Sequence, residues 1–404
     1  MNKTQTRLSK IFSGYVATIP ILQYYISPVG SLNLATAISF VFLLFFTISI
    51  LRRGRIGFES LVKPMRFYVL FIVANLIITS FVFNYSYTWN NVGTTVRLFF
   101  LYIGLIAIGN RWFDHEISFY IMEKILMVSA FFVIIHTILY STAHVRVTPI
   151  IESLVTKDSL NLDLNRVRTG GLYMEPAHYA QSAILYLCYK LFPNTKEKPV
   201  LDKKSLFVIV GLVFSGSGQG YAMLAVVYCI WVFYTMFIEK ANIKRFFIAG
   251  GSVALVLLLF VALLQISYVR NAITRIVAMD SGSIAFGGQA LAGRTYTNHY
   301  FHEFSDLMKL TGVGFGHVAE ITRGGFTNSL YAHLIQCGYP SLFFLVNIFA
   351  FYFKKGPASV KVHTILYAIM ITFTAMANAM MLCFFTQFYI SMCKNQEETP
   401  SFLA

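Results

Sequence analysis

The chain reads as a succession of long apolar blocks separated by short polar turns. The blocks run to roughly 18 to 28 residues with few charges, about what a helix needs to cross ~30 Å of hydrocarbon. They predict membrane helices near residues 11 to 28, 33 to 51, 67 to 84, 95 to 109, 117 to 141, 176 to 193, 204 to 219, 220 to 238, 246 to 267, 326 to 353 and 362 to 391. No water is present in hydrocarbon, so each block must satisfy its own peptide groups as a helix. An outer-membrane barrel would instead show segments of roughly 10 residues with alternating polarity, and the chain lacks that pattern. The expected fold is therefore an all-α polytopic membrane protein of about 11 (10 to 12) transmembrane helices, with residues 1 to 404 forming a single integral membrane domain. Two blocks look interrupted. The seventh and eighth meet at Ser215-Gly-Ser-Gly-Gln-Gly220, and the tenth contains Gly338 and Pro340, so either break fits a re-entrant or discontinuous helix. The first block contains Pro20 but no small-residue cleavage site, and reads as a retained signal anchor.

Composition agrees with this pattern, since 57% of the 404 residues are hydrophobic and 12% charged, more apolar surface than a soluble core can hide. A net charge of +15 would point to nucleic acid in a soluble protein. Here the basic residues sit in short turns between apolar blocks, so topology accounts for them and no nucleic-acid partner is expected. Five cysteines form no CxxC pair and read as small buried hydrophobes.

Lysine and arginine also set the orientation. With the N-terminus in the cytoplasm, the inner segments hold 20 of the 32 basic residues, and 13 of those 20 are lysine. The outer face instead carries eight arginines, Arg97, Arg146, Arg166, Arg168, Arg270, Arg275, Arg294 and Arg323, against Lys157, Lys309 and Lys394. Arginine grips phosphate oxygens with a planar, permanently charged fork, so this departure from the positive-inside rule suggests an anionic ligand. Anchoring at lipid headgroups, or pairing with outer acids such as Glu152 and Asp158, is the plainer alternative. Two long outer loops, residues 142 to 175 and 268 to 325, are where function is to be sought.

Three constellations stand out. Arg166-Val-Arg168-Thr-Gly-Gly171 leads to Glu175-Pro176-Ala-His178, with Pro176 suited to the first turn of a helix and Glu175 at its cap. Glu175 reads either as a cap alone or as a base beside arginines that hold a diphosphate. In the second loop, Gly293-Arg294-Thr-Tyr296 precedes His299 and His302, then Gly312-Val-Gly314-Phe-Gly316-His317. No Rossmann strand precedes these glycines, so they read as a loop whose backbone amides could line an anion site, with His317 beside it. His299, His302 and Glu303 lack further ligands at metal spacing, and no metal or cofactor is expected. The third stretch, Arg323-Gly-Gly-Phe-Thr327-Asn328-Ser329, opens the tenth helix. Thr327 or Asn328 caps that helix, or its outward N-terminus presents amides to phosphate.

These residues, in this order, resemble the bacterial O-antigen polymerase family, which shares a superfamily with O-antigen ligases. The likeness is carried by the arginines before Glu175-Pro176, the serine-glycine break at 215 to 220, the Gly312, Gly314, Gly316 loop, Asn328 followed by Gly338, and the two large loops. Ligases resemble one another in placing histidine directly before the asparagine, whereas this chain has Thr327, which favours polymerase.

The resemblance implies an inverting glycosyltransferase on the periplasmic face of the bacterial inner membrane. It would extend glycans carried on undecaprenyl diphosphate, with membrane lipid, a chain-length regulator and a flippase as partners. It also implies Arg166, Arg168, Arg294 and Arg323 for diphosphate, Gly314, Gly316, Tyr296 and Asn328 around substrate, and Glu175, His317 or His178 as base. The competing class is a flippase or transporter for an anionic lipid.

Overall fold

A computed structural model describes residues 3–26, 33–51, 61–83, 93–147, 169–173, 175–193, 201–235, 298–314, 317–322, 328–372 and 379–397. Among these residues the helices are, in order, α1 (Lys3–Leu22), α2 (Leu34–Leu51), α3 (Lys63–Phe83), α4 (Gly93–Gly109), α5 (His115–Ala143), α6 (Pro176–Leu191), α7 (Lys203–Phe214), α8 (Gly218–Phe233), α9 (Asn298–His302), α10 (Asp306–Thr311), α11 (Val318–Ile321), α12 (Ser329–Cys337), α13 (Pro340–Lys355), α14 (Ala358–Met370) and α15 (Ala379–Glu397). No strand occurs among the described residues, and α2, α3 and α5 are each long and apolar enough to cross a membrane. The protein is an all-α membrane protein, as its apolar blocks predict. The ninth predicted block, residues 246 to 267, lies outside the described residues.

The chain divides into two compact units, Met1–Ile121 with Gly293–Ala404, and Met122–Ala292, with the boundary inside α5. In the second unit α5, α6, α7 and α8 pack together. Tyr186 of α6 meets Glu123 of α5, and further along Gly211 of α7 lies against both Ala130 and the Tyr179 hydroxyl, so α6 runs antiparallel to α5. The serine-glycine break at 215 to 217 is a tight turn between α7 and α8. Ser217 caps α8 by accepting the Gly220 amide at 3.1 Å, and the Ser215 hydroxyl donates to Leu212 O at 2.7 Å. Those hydroxyls are satisfied locally, which is how a polar turn survives among apolar helices.

In the first unit the tenth predicted block breaks where the sequence marks it, and the eleventh is corrected. The tenth block is two helices, because Gly338 turns at φ +69° and Pro340 cannot continue α12. Contacts along α3 fix their course. Tyr352 of α13 donates to Met65 Sδ at 3.4 Å and Phe344 stacks on Phe71, so α13 runs antiparallel to α3. His333 of α12 lies 3.2 Å from the Tyr68 hydroxyl, while the C-terminal end of α12 is joined to the Thr311–Gly314 segment, whose Thr311 carbonyl accepts from Asn75 of α3. Helix α12 thus runs parallel to α3 and α13 antiparallel to it, and the two form a helical hairpin. The N-terminus of α12 points into the bundle, where the Leu330 amide donates to Ile371 O at 3.0 Å.

The eleventh block likewise folds back. Its halves α14 and α15 are antiparallel, with His363 bonded to Tyr389 and Tyr367 packed on Phe385. Thirteen residues of α14 rise about 20 Å, too short to cross the hydrocarbon unaided.

Candidate functional site

The first constellation is built on the elbow before α6. Gly171 sits at φ +64°, and a Cβ there would lie 2.7 Å from Ser129 O on α5, so a residue without a side chain lets the chain turn against that helix. The short helical turn Gly171–Tyr173 buries Tyr173 against Tyr179, and the chain then enters α6 through Pro176 at its first position. Glu175 stands at the cap position with extended backbone, yet its carboxylate takes no capping bond from the α6 amides. It lies instead 3.5 Å from His178 Nδ1, with 31% of the Glu175 side chain and 13% of the His178 side chain exposed. The Glu175 carboxylate thus does not cap α6 and forms a carboxylate–imidazole pair with His178.

Among the apolar side chains that α6 buries stand a few polar groups. Glu175, His178 and Ser182 fall on one face of α6, at the i, i+3, i+7 spacing of a helix. Ser129 Oγ and Gln181 Oε1 are buried without a hydrogen-bond partner among the described residues, and the Tyr173 hydroxyl lies beside Ser182. Sequence reasoning missed this lining, since single serines in apolar blocks carry no signal until α5 and α6 are brought together.

At the other end of α6, Glu123 is 5% exposed and fully engaged. Lys204 Nζ donates to Oε1 at 2.7 Å, the Tyr186 hydroxyl donates to Oε2 at 2.7 Å, and Lys190 Nζ lies 3.3 Å from Oε2. Asp202 caps α7 by accepting the Ser205 amide at 2.7 Å and stands 4.0 Å from Lys190.

The second and third constellations belong to the other unit. The amides of Gly312, Val313 and Gly314 donate to Met308 O, Ile335 O and Gln336 O at 2.8, 2.8 and 3.0 Å. These three amides are committed to the fold and are not open to an anion, while Gly316 of the same loop lies outside the described residues. His317 is partly buried and precedes α11, whose Ile321 amide donates to the His317 carbonyl. Asn328 is fully buried and caps α12, accepting the Tyr331 amide at 3.0 Å and donating to Asn298 Oδ1 at 2.9 Å. That helix start is inside the bundle with its Leu330 amide spent, which corrects the reading of an outward N-terminus open to phosphate. Tyr331 and His302 meet at 3.2 Å, a contact the sequence did not announce.

Arg166, Arg168, Arg294, Tyr296, Gly316 and Arg323 lie outside the described residues. The structure therefore brings together Glu175 with His178 in one unit, and describes Gly314, His317 and Asn328 in the other. Compared with known proteins, the chain matches no family model and no curated protein. A functional reading thus rests on the residues themselves.

Proposed function

We propose that the chain is a polysaccharide polymerase: an inverting glycosyltransferase of about eleven membrane crossings that joins undecaprenyl-diphosphate-linked repeat units at the periplasmic face of an inner membrane. The observation that carries the reading is the Glu175–His178 pair, a carboxylate and an imidazole 3.5 Å apart, partly exposed and free of capping duty. Transfer of a glycan to a sugar hydroxyl needs a group that removes the hydroxyl proton as the new bond forms. In this reading His178 takes that proton, and Glu175 orients the ring and stabilises the imidazolium. The departing diphosphate carries the negative charge, and Arg166 and Arg168, in the stretch that leads into the elbow, would neutralise it.

The test is complementation of a strain that lacks the enzyme, scored by long-chain polysaccharide on gels. Glu175→Gln, His178→Ala and Arg168→Ala are expected to leave single-repeat products. Normal ladders from all three would sink the proposal, and loss of every cap from the core would point to a ligase instead.

A second reading, a flippase for the same class of lipid-linked anion, draws on the hairpin of α12 and α13 and the short α14, since broken helices recur where transporters line a path. Purified protein decides between the two. New glycosidic bonds in detergent support the polymerase, and movement of substrate across liposomes without new bonds supports the flippase.

A further inference from the structure

Within the second long loop, α10 has a face that a water-exposed loop would not carry. Leu307 and Leu310 are 52% and 58% exposed, and none of the six residues of α10 is buried. At about 100° per residue, Leu307, Leu310 and Thr311 fall on one side of the helix and Asp306 and Lys309 on another. Met308 takes the third side and packs against the core cluster of Phe301, Val313, Leu334 and Ile335. The Thr311 hydroxyl turns back to donate to Leu307 O at 2.9 Å, as Thr47 does to Leu43 O in the membrane helix α2. That is how a hydroxyl is satisfied where water is scarce.

The level of this helix is set by α3. Asn75 Nδ2 donates to Thr311 O at 2.6 Å, and Asn75 lies eight residues short of Phe83, the end of α3. Eight residues of helix rise about 12 Å, so Thr311 stands well inside the thickness that α3 spans. Tyr339 N also donates to Lys309 O at 2.8 Å, holding α10 on the turn between α12 and α13. Ile77, Ile78 and Phe81 are likewise exposed toward the Phe83 end of α3, an apolar helix long enough to cross a membrane.

We propose that α10 is a membrane-inserted helix whose Leu307 and Leu310 contact the acyl chains of the leaflet at the Phe83 end of α3, while Asp306 and Lys309 reach toward the headgroups. The loop is then anchored in lipid and carries Gly312–Gly314 below the membrane surface. This holds whichever functional reading stands.

The experiment places a nitroxide at Leu310→Cys, and separately at Leu307→Cys, in the full-length protein with Cys188, Cys229, Cys337, Cys383 and Cys393 changed to serine, in phospholipid nanodiscs. Collisions with oxygen and with a water-soluble nickel chelate are read by power saturation. Ile77→Cys supplies the lipid standard and Glu116→Cys the aqueous one. The expected oxygen-to-nickel ratio at 307 and 310 matches that at 77 and is roughly tenfold above that at 116, since hydrocarbon dissolves oxygen and excludes a chelate. A ratio equal to that at 116 overturns the proposal. So does shielding from both reagents, which would mean that protein, a second copy included, covers the face. Should the serine background not fold, the wild-type protein in nanodiscs containing an acyl-chain diazirine phospholipid gives the same answer. Adducts on residues 306 to 311 support insertion, and labelled α3 without them overturns it.

Discussion

A carboxylate stands at each end of α6, Glu123 of α5 against one and Glu175 before the other, and the two are answered in opposite ways. Glu123 is buried under two ammonium groups and a phenol, so its charge is matched and its hydrogen-bonding capacity spent. Glu175 has a third of its side chain in the open, the His178 imidazole as neighbour and a carboxylate that takes no capping bond from the α6 amides. A carboxylate answered by permanent positive charge holds structure. One answered by a group that can itself gain a proton is suited to chemistry.

That contrast makes unequal predictions. The largest effect is expected from Glu175→Gln and His178→Ala, which should each lower polymerisation by about 10²- to 10⁴-fold while the thermal midpoint in detergent stays near wild type. A parallel loss of midpoint would mean that the pair is structural and the contrast false. Glu123→Ala should do the reverse, removing the shared carboxylate of Lys190 and Lys204 and leaving Lys190 with Asp202 at 4.0 Å. The expected loss is about 2 kcal/mol, below the cost of a fully buried orphan charge because both ammonium groups reach water. It would be measured as a lowered midpoint with activity per folded molecule retained.

Gly171→Ala sharpens the comparison from the backbone side. A methyl group facing Ser129 O at a left-handed turn should cost about 1 to 3 kcal/mol and reduce activity too, because the elbow sets where Glu175 stands. The smallest effect is electrostatic. Partial burial pushes the Asp202 carboxyl up, but the Ser205 amide and hydroxyl and the charges of Lys190 and Lys204 outweigh that and hold it below 3.8. Folded protein therefore gives up this proton more readily than unfolded chain. The stabilisation is complete above about pH 4 and is lost as pH falls through the lower folded value. Thermal midpoints measured from neutral to acid pH should fall slightly more in wild type than in Asp202→Asn.

Much of the architecture was legible because hydrophobic block length is a direct consequence of the hydrocarbon thickness. Predicted blocks at 33 to 51, 95 to 109 and 117 to 141 match α2, α4 and α5 within two residues at each end. The broken tenth helix was legible too, since Gly338 and Pro340 write the break into the chain. The turn between α14 and α15 was not. Residues 358 to 397 contain neither glycine nor proline, and an apolar run long enough to cross a membrane looks the same whether it crosses or folds back. At the site, spacing alone placed Glu175 and His178 a helical turn apart. It could not show that Glu175 declines to cap, nor that the amides around Gly312 and Gly314 are consumed by Ile335 and Gln336, because those partners are set by tertiary contact.

The reciprocal fit of Gly312 and Gly338 bears on how the chain is made. A side chain at Gly312 would strike the Gln336 carbonyl and the Cys337 amide, and one at Gly338 would strike the carbonyls of Lys309 and Leu310. The two strips of backbone close on each other like a clasp, which cannot shut until both have left the ribosome. Nine residues of α12 are too few to cross the hydrocarbon alone, so the hairpin is held by its packing against α10 and α13 rather than by its own length. Closure of this region is therefore a late packing event, and a defect in either glycine should surface as protein cleared after synthesis rather than during it.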